Sequence, residues 1–185
     1  LVVDAVFVDG VEVQAVFDNN IILIPTLTTV SVGDTIDIQV QYHGEPFHES
    51  WGGFHYSGPY AFNLGVGISW IPHNLGKTWF PCIDDFTDRA TYDVLATVPD
   101  GKMAAGGGEL VGVTINGNGT STYHWHLAQQ VPTYLVSVAV GEYALVEDTY
   151  EGLERTIPIT YYVKPGDTAK VPGSFERIKE ITALY

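Results

Sequence analysis

The pattern that most restricts this chain is a succession of short apolar runs, each broken by Gly, Asn, Asp or Pro before it reaches helical length. Residues 35–42 are the plainest case. Ile36, Ile38, Val40 and Tyr42 alternate with Asp37, Gln39 and Gln41, a strict period of two that predicts a strand with one face buried. Residues 1–8 and 11–17 flank Asp9-Gly10, a dipeptide suited to tight hairpins because both residues tolerate positive φ. Further strands are predicted at 21–24, 92–98, 109–115, 121–126, 134–140 and 156–163, and Asn116-Gly117-Asn118-Gly119 reads as another hairpin turn. Many short strands without helical crossovers predict an all-β fold, an antiparallel sandwich.

The C-terminal end is the exception. After Pro172-Gly173, Ser174 is placed to cap a helix whose Phe175, Ile178, Ile181 and Leu184 share a face. This pattern runs to Tyr185 without a breaker. It divides the chain into a β-sandwich domain, residues 1–173, and a helix, residues 174–185, leading into a further domain.

At 185 residues and 45% apolar, the chain has material for one well-buried core. Twenty-two acidic against eight basic residues give a net charge of −14, which excludes a nucleic-acid partner because phosphate neutralisation needs clustered Lys and Arg. No apolar run approaches the ~20 residues of a membrane span. Leu1 opens directly on a strand-like run, as expected where the natural start lies upstream. Cys82 is the single cysteine, so no internal disulfide forms. Few Lys with abundant Tyr, Trp, Gly and Asn suit an exported protein, periplasmic or on the cell surface, with the cytoplasm left open. Asn118-Gly119-Thr120 matches a glycosylation acceptor pattern.

Between residues 43 and 86 the chain is irregular yet rich in Trp, Gly and His, and a long loop of this kind inside a compact domain is usually functional. His48-Glu49 begins an H-E-x-x-H zinc pattern, but position 52 is Gly and the next histidine is His55, so the motif is incomplete. His124 and His126 flank Trp125 on a predicted strand and leave the same face; a zinc site would need a further ligand, and the competing reading is a solvent-facing strand surface. Asp84 and Asp85 are adjacent carboxylates, which on an extended chain point opposite ways; a turn or an ion pair with Arg89 suits them better than acid–base chemistry. Cys82 lacks a His partner and reads as buried packing. Ala105-Gly106-Gly107-Gly108 precedes a strand, not the helix N-terminus a phosphate loop needs.

Trp79-Phe80-Pro81-Cys82-Ile83-Asp84-Asp85, then Ala90-Thr91-Tyr92-Asp93-Val94, then Val98-Pro99-Asp100-Gly101 resemble in order and spacing a signature of the aminopeptidase-N family of gluzincin zinc peptidases. The segment running from Val131-Pro132-Thr133 to Val140-Gly141-Glu142-Tyr143 resembles that family's strand ending in Val-Gly-x-Phe/Tyr. Asp85 and Phe86 stand where the family usually has Glu and Pro. Asn63-Leu64-Gly65-Val66-Gly67 and Pro72-His73-Asn74 are most similar to a Bacteroidetes-type branch. The resemblance implies a saddle-like N-terminal β domain that covers a thermolysin-like catalytic domain of the same polypeptide. It implies zinc in the intact parent and no cofactor in this chain, which lacks the complete H-E-x-x-H and G-x-M-E-N motifs and is expected to hydrolyse nothing alone. In the family the β domain lends a Gln or Glu to the peptide substrate's N-terminal amine. An ungapped match places that position on Pro72, which leaves His73 and Asn74 as the substrate-binding candidates, with backbone turn roles as the alternative. A rival reading is an extracellular carbohydrate- or protein-binding sandwich using Trp51, Tyr56, Tyr60 and Trp70 as a platform. A third is a family member that has lost its catalytic residues and acts in scaffolding.

Overall fold

The structure, a computed structural model, describes residues 1–69 and 71–184. Its strands are β1 (Val2–Val8), β2 (Val11–Glu12), β3 (Val16–Asp18), β4 (Ile21–Leu23), β5 (Ile38–His43), β6 (Gly53–Ser57), β7 (Tyr60–Leu64), β8 (Ala90–Pro99), β9 (Met103–Gly106), β10 (Glu109–Ile115), β11 (Thr120–Val131), β12 (Val138–Gly141), β13 (Ala144–Glu151) and β14 (Thr156–Val163). They pair antiparallel into sheets of order β2-β1-β5, β10-β11-β8 and β6-β7-β12-β9, with two-stranded ribbons β3-β4 and β13-β14. The fold is all-β with short helical turns at its C-terminal end, as the run lengths predict.

Trp125 of β11 sits near the centre of the core. It is 7% exposed, and its indole N–H donates to the Ala104 carbonyl at 2.8 Å, which satisfies its one polar atom inside an apolar setting. Its ring lies over β9, where Gly106 supplies the space: a Cβ there would fall 2.7 Å from Trp125 Cγ. Aromatic contacts continue outward, from Trp125 to Tyr162 at 6.4 Å, Tyr162 to Tyr143 at 6.0 Å and Tyr143 to Tyr60 at 5.3 Å between ring centroids. That seam links the β10-β11-β8 sheet to the β13-β14 ribbon and to β7.

Several expectations are corrected here. The run at 134–140 is not one strand: Thr133–Leu135 forms a 3-10 turn and β12 begins only at Val138. Asn63 is the reason, because its buried amide donates to the Val136 carbonyl (2.9 Å) and accepts from the Val138 N–H (2.7 Å), taking up backbone groups that a sheet partner would otherwise hold. The strand predicted at 35–42 starts later, at Ile38, and its apolar face is largely open, with Ile38 49% and Tyr42 37% exposed. β5 is an edge strand, so its side chains have a neighbour on one side only. Ser174 ends helix α1 (Val171–Ser174) instead of capping the next one; α2 (Ile178–Thr182) starts after Arg177. Phe175 leaves the helical region (φ −120°, ψ 25°) and packs on Tyr161 at 4.9 Å, and that contact interrupts the helix.

Gly106→Ala is expected to cost about 2 kcal/mol, in the range of overpacking a well-filled core, because its Cβ would have to displace Trp125. Urea unfolding of the variant should show a lower midpoint with an unchanged slope.

Candidate functional site

The irregular stretch between β5 and β8 is folded over the β6–β7 hairpin and held there by its own backbone. His48 bridges to Gly53 and Val66 bridges to Asn74, and a side chain on Gly52 would strike the Val66 carbonyl, so the loop before the hairpin and the loop after it lie side by side. Gly52 and Gly53 permit the approach: both have positive φ, 111° and 84°, and a side chain on Gly53 would strike the Phe47 backbone.

Glu49 fastens the second loop to the first. Its carboxylate accepts the backbone N–H groups of Ile68 and Ser69. Partial desolvation pushes this carboxyl up, but the hydrogen bonds from Ile68 and Ser69 and the nearby His73 outweigh it and hold it below its usual range. His55 donates through Nε2 to the Gly52 carbonyl at 2.9 Å and lies over Phe62, with His48 5.2 Å away. The His48-Glu49 pair therefore serves loop closure. Residue 49 lies outside any helix, its carboxylate is committed to amides, and position 52 is buried glycine.

The deeper half of the loop is built around Asp84. Its side chain is 4% exposed and pairs with Lys77 Nζ at 3.0 Å, while Thr133 Oγ1 donates to its other oxygen at 2.8 Å. Asn74, 1% exposed, donates its amide to the Asp84 carbonyl, and Lys77 also donates to the Asn74 carbonyl at 3.0 Å. Burial pushes the Asp84 carboxyl up; the hydrogen bonds from Lys77, Thr133 and Asn74 outweigh it, and the group lies below its ordinary value of 3.8. Of the turn and the Arg89 ion pair expected from sequence, the ion pair is not the one formed: the partner of Asp84 is Lys77. Asp85 turns away and accepts from the N–H (2.8 Å) and hydroxyl (2.6 Å) of Thr87. Cys82 is half-buried; burial and then the charge of Asp84 push its thiol up to about 11, so it stays protonated and unreactive at neutral pH.

His73 and Asn74 separate in the structure. His73 is exposed, with its carbonyl accepting from the Gly67 N–H at 2.7 Å. Asn74 is buried, yet its Oδ1 has no hydrogen-bond partner. Pro72 is exposed beside them. Trp51 and Tyr56 are open, at 58% and 64% exposure, whereas Tyr60 is spent on packing against Tyr143 and on a hydrogen bond to the Glu142 carbonyl at 3.3 Å. Trp70, the fourth residue of the imagined platform, lies outside the described residues.

On the outer face of β11, His124 and His126 both reach Asp93 Oδ1 of β8, at 2.7 and 3.1 Å. Those two hydrogen bonds, His124's first, hold Asp93 below its usual value. The sequence missed Asp93 because its place opposite His126 depends on strand register. Among the described residues, no group of three His, Cys, Asp or Glu side chains is arranged to hold a metal ion.

Comparison with known proteins places this geometry. No family model matches the chain. Aminopeptidase B of Rattus norvegicus is 28% identical over 89 residues, 48% of this chain and 12% of that protein. Subunit 2 of transcription initiation factor TFIID from Danio rerio is 27% identical over 124 residues, 64% of this chain and 10% of that protein. Among solved structures, an M1 zinc metallopeptidase of Deinococcus radiodurans bound to a Tyr-Ser-Ala substrate is similar at a TM-score of 0.71 and 23% identity, over 91% of this chain and 41% of that one. The chain thus spans only a small part of the relatives it matches. Its fold is that of the N-terminal β domain of M1 zinc aminopeptidases, as the Trp79–Asp85 resemblance implies.

Asp84→Asn should lower stability at neutral pH by about 1–3 kcal/mol, less than a fully buried pair because Lys77 is 49% exposed. The sign follows from the lowered carboxyl: its contribution is full above the unfolded value and is lost as pH falls through the lower folded value. A pH series of urea midpoints should therefore lose part of its decline below the ordinary value of 3.8 in the variant. An unchanged acid limb would refute the role.

Proposed function

We propose that this chain is the non-catalytic N-terminal domain of a zinc aminopeptidase, and that its face formed by residues 44–86 covers the active site of a thermolysin-like catalytic domain in the same polypeptide. The observation that carries this reading is the fold likeness over 91% of the chain to a zinc metallopeptidase with a bound tripeptide. The sequence match to an aminopeptidase agrees with it. In this reading the zinc belongs to the catalytic domain, and this domain contributes shape and polar contacts to the peptide's N-terminus.

His73 is the contact we assign. Its ring is exposed, and in its neutral form one nitrogen accepts a hydrogen bond from an α-ammonium group. The negative charge of Glu49 nearby favours a cation at the same place. Asn74 offers an unpartnered acceptor, but a ligand reaches it only through movement of the loop.

The likeness to a transcription-factor subunit supports a second reading, in which the same domain serves assembly and no peptide is cut. Kinetics on the whole protein separate the two. The peptidase reading expects His73→Ala to raise KM for peptides with a free N-terminus by about tenfold, the worth of one hydrogen bond to a charged group, with kcat little changed. A whole protein that binds zinc and peptide but shows no turnover would support assembly. The isolated chain, supplied with zinc, should leave aminoacyl arylamides intact; turnover that is lost on His48→Ala or His124→Ala would overturn the non-catalytic assignment.

A further inference from the structure

The β10–β11 turn carries two Asn-Gly pairs, Asn116-Gly117 and Asn118-Gly119, and all four residues are exposed. Gly117 and Gly119 hold positive φ of 72° and 85°, and the Asn116 N–H donates to the Thr120 carbonyl at 3.0 Å to close the turn. An Asn followed by Gly is open to attack on its own side chain, because the glycine nitrogen has no Cβ beside it to hinder approach. Both glycines are equally free, with nothing within 4 Å of where a Cβ would stand. Sequence alone therefore gives no preference between the two asparagines.

The hydrogen bonds do. Thr120 Oγ1 donates to Asn118 Oδ1 at 2.7 Å, so the acyl oxygen of Asn118 faces a hydroxyl donor. Asn116 is held the other way round: its side-chain nitrogen donates to Thr120 Oγ1 at 2.9 Å and to Thr122 Oγ1 at 3.0 Å. The result is a relay from Asn116 N–H through the Thr120 hydroxyl to the Asn118 carbonyl, in which each bond polarises the next. A donor fixed on the acyl oxygen stabilises the negative charge that develops there when the carbon is attacked.

We propose that Asn118 is a self-modification site, losing its side-chain amide to the Gly119 backbone nitrogen in preference to Asn116. The Gly119 amide gives up its proton to solvent and its nitrogen bonds to Asn118 Cγ. The Cγ–Nδ2 bond breaks, and the nitrogen leaves as ammonia after taking a proton, closing a five-membered imide. Water then opens the ring at Cγ to give aspartate, or at the backbone carbonyl to give isoaspartate. No oxidant or cofactor enters. Either product adds a carboxylate to the turn. The second also inserts a methylene into a backbone whose Gly119 carbonyl accepts from the Asp100 N–H at 3.0 Å, so it disturbs the neighbouring β8–β9 turn as well.

Peptide mapping by mass spectrometry after incubation of the folded chain in mildly alkaline buffer tests the selection. Asn118 should gain the mass difference between water and ammonia, with isoaspartate among the products, well before Asn116 does. Thr120→Val, which removes the hydroxyl, should slow the change at Asn118 by about 3- to 10-fold, the rate equivalent of one neutral hydrogen bond. Thr120→Ser, which keeps the donor, should retain the original rate. In urea the two asparagines should react alike and the Thr120 variants should match the parent, which separates the fold's contribution from that of the Asn-Gly sequence. Faster reaction at Asn116 in the folded chain, or a Thr120→Val rate equal to the parent's while circular dichroism shows the fold intact, would overturn the proposal.

Discussion

A carboxylate placed out of water is tolerable only where donors replace the solvent, and Asp84 meets that condition from two separate stretches of chain. Lys77 lies seven residues before it and Thr133 forty-nine residues ahead, while Asn74, three residues before Lys77, donates to the Asp84 backbone carbonyl. The last connection is the important one. It ties the loop after β7 to the 3-10 turn that precedes β12, so the loop is fixed to the sheet instead of floating above it. Tight backbone approaches follow from this closure. A side chain on Gly65 would strike the Tyr134 backbone, and one on Gly76 would meet both Asp84 and Thr133. Glycine at 65 and 76 and charge at 77 and 84 are thus parts of one constraint.

The same loop is therefore rigid at its base and open at its top. Lys77, Asp84, Asn74 and Thr133 occupy the base, while Trp51, Ile68, Ile71 and His73 reach solvent above them. Ile68 and Ile71, at 67% and 89% exposure, are apolar groups that a lone domain gains nothing by displaying. A surface of this kind, held in place from beneath, suits contact with another folded body. The ionisable groups agree: Glu49, Asp84, Asp85 and Asp93 are each committed to donors within the domain, and the thiol of Cys82 is kept protonated.

How much of this was legible depended on whether the signal was local. Strands β1, β8, β10, β11 and β14 stand out because alternation and flanking turn residues lie within a few positions of each other. β9 was not anticipated, since Met103-Ala104-Ala105-Gly106 has small residues where a strand pattern needs bulk, and the bulk comes from Trp125 on another strand. The β6–β7 hairpin was hidden in the same way, under a run of aromatic and glycine residues with no clear period. At the site, the family-like block around Cys82 located the loop, but the Asp84–Lys77 pairing and the Glu49 clamp arise from loop closure, to which adjacent letters give no clue. His73 and Asn74, neighbours in sequence, end on opposite sides of the surface because Val66 bridges to Asn74 and draws only that residue inward.

In the peptidase reading proposed above, that split bears on how this domain would take part in substrate binding. The Val66–Asn74 bridge buries Asn74 and at the same point leaves His73 outside, next to the carboxylate that holds Ile68 and Ser69. Glu49 therefore has two consequences: it fixes the loop through amide donors, and its negative charge acts on whatever approaches His73. A positive end group would meet a favourable field there and a negative one an unfavourable field, without either touching Glu49. The chain's net charge of −14 adds to the same bias at longer range, where salt screens it within about 8–10 Å. In the peptidase reading proposed above, such a field would favour the amino end of a peptide over its carboxyl end, through loop closure and before any contact is made.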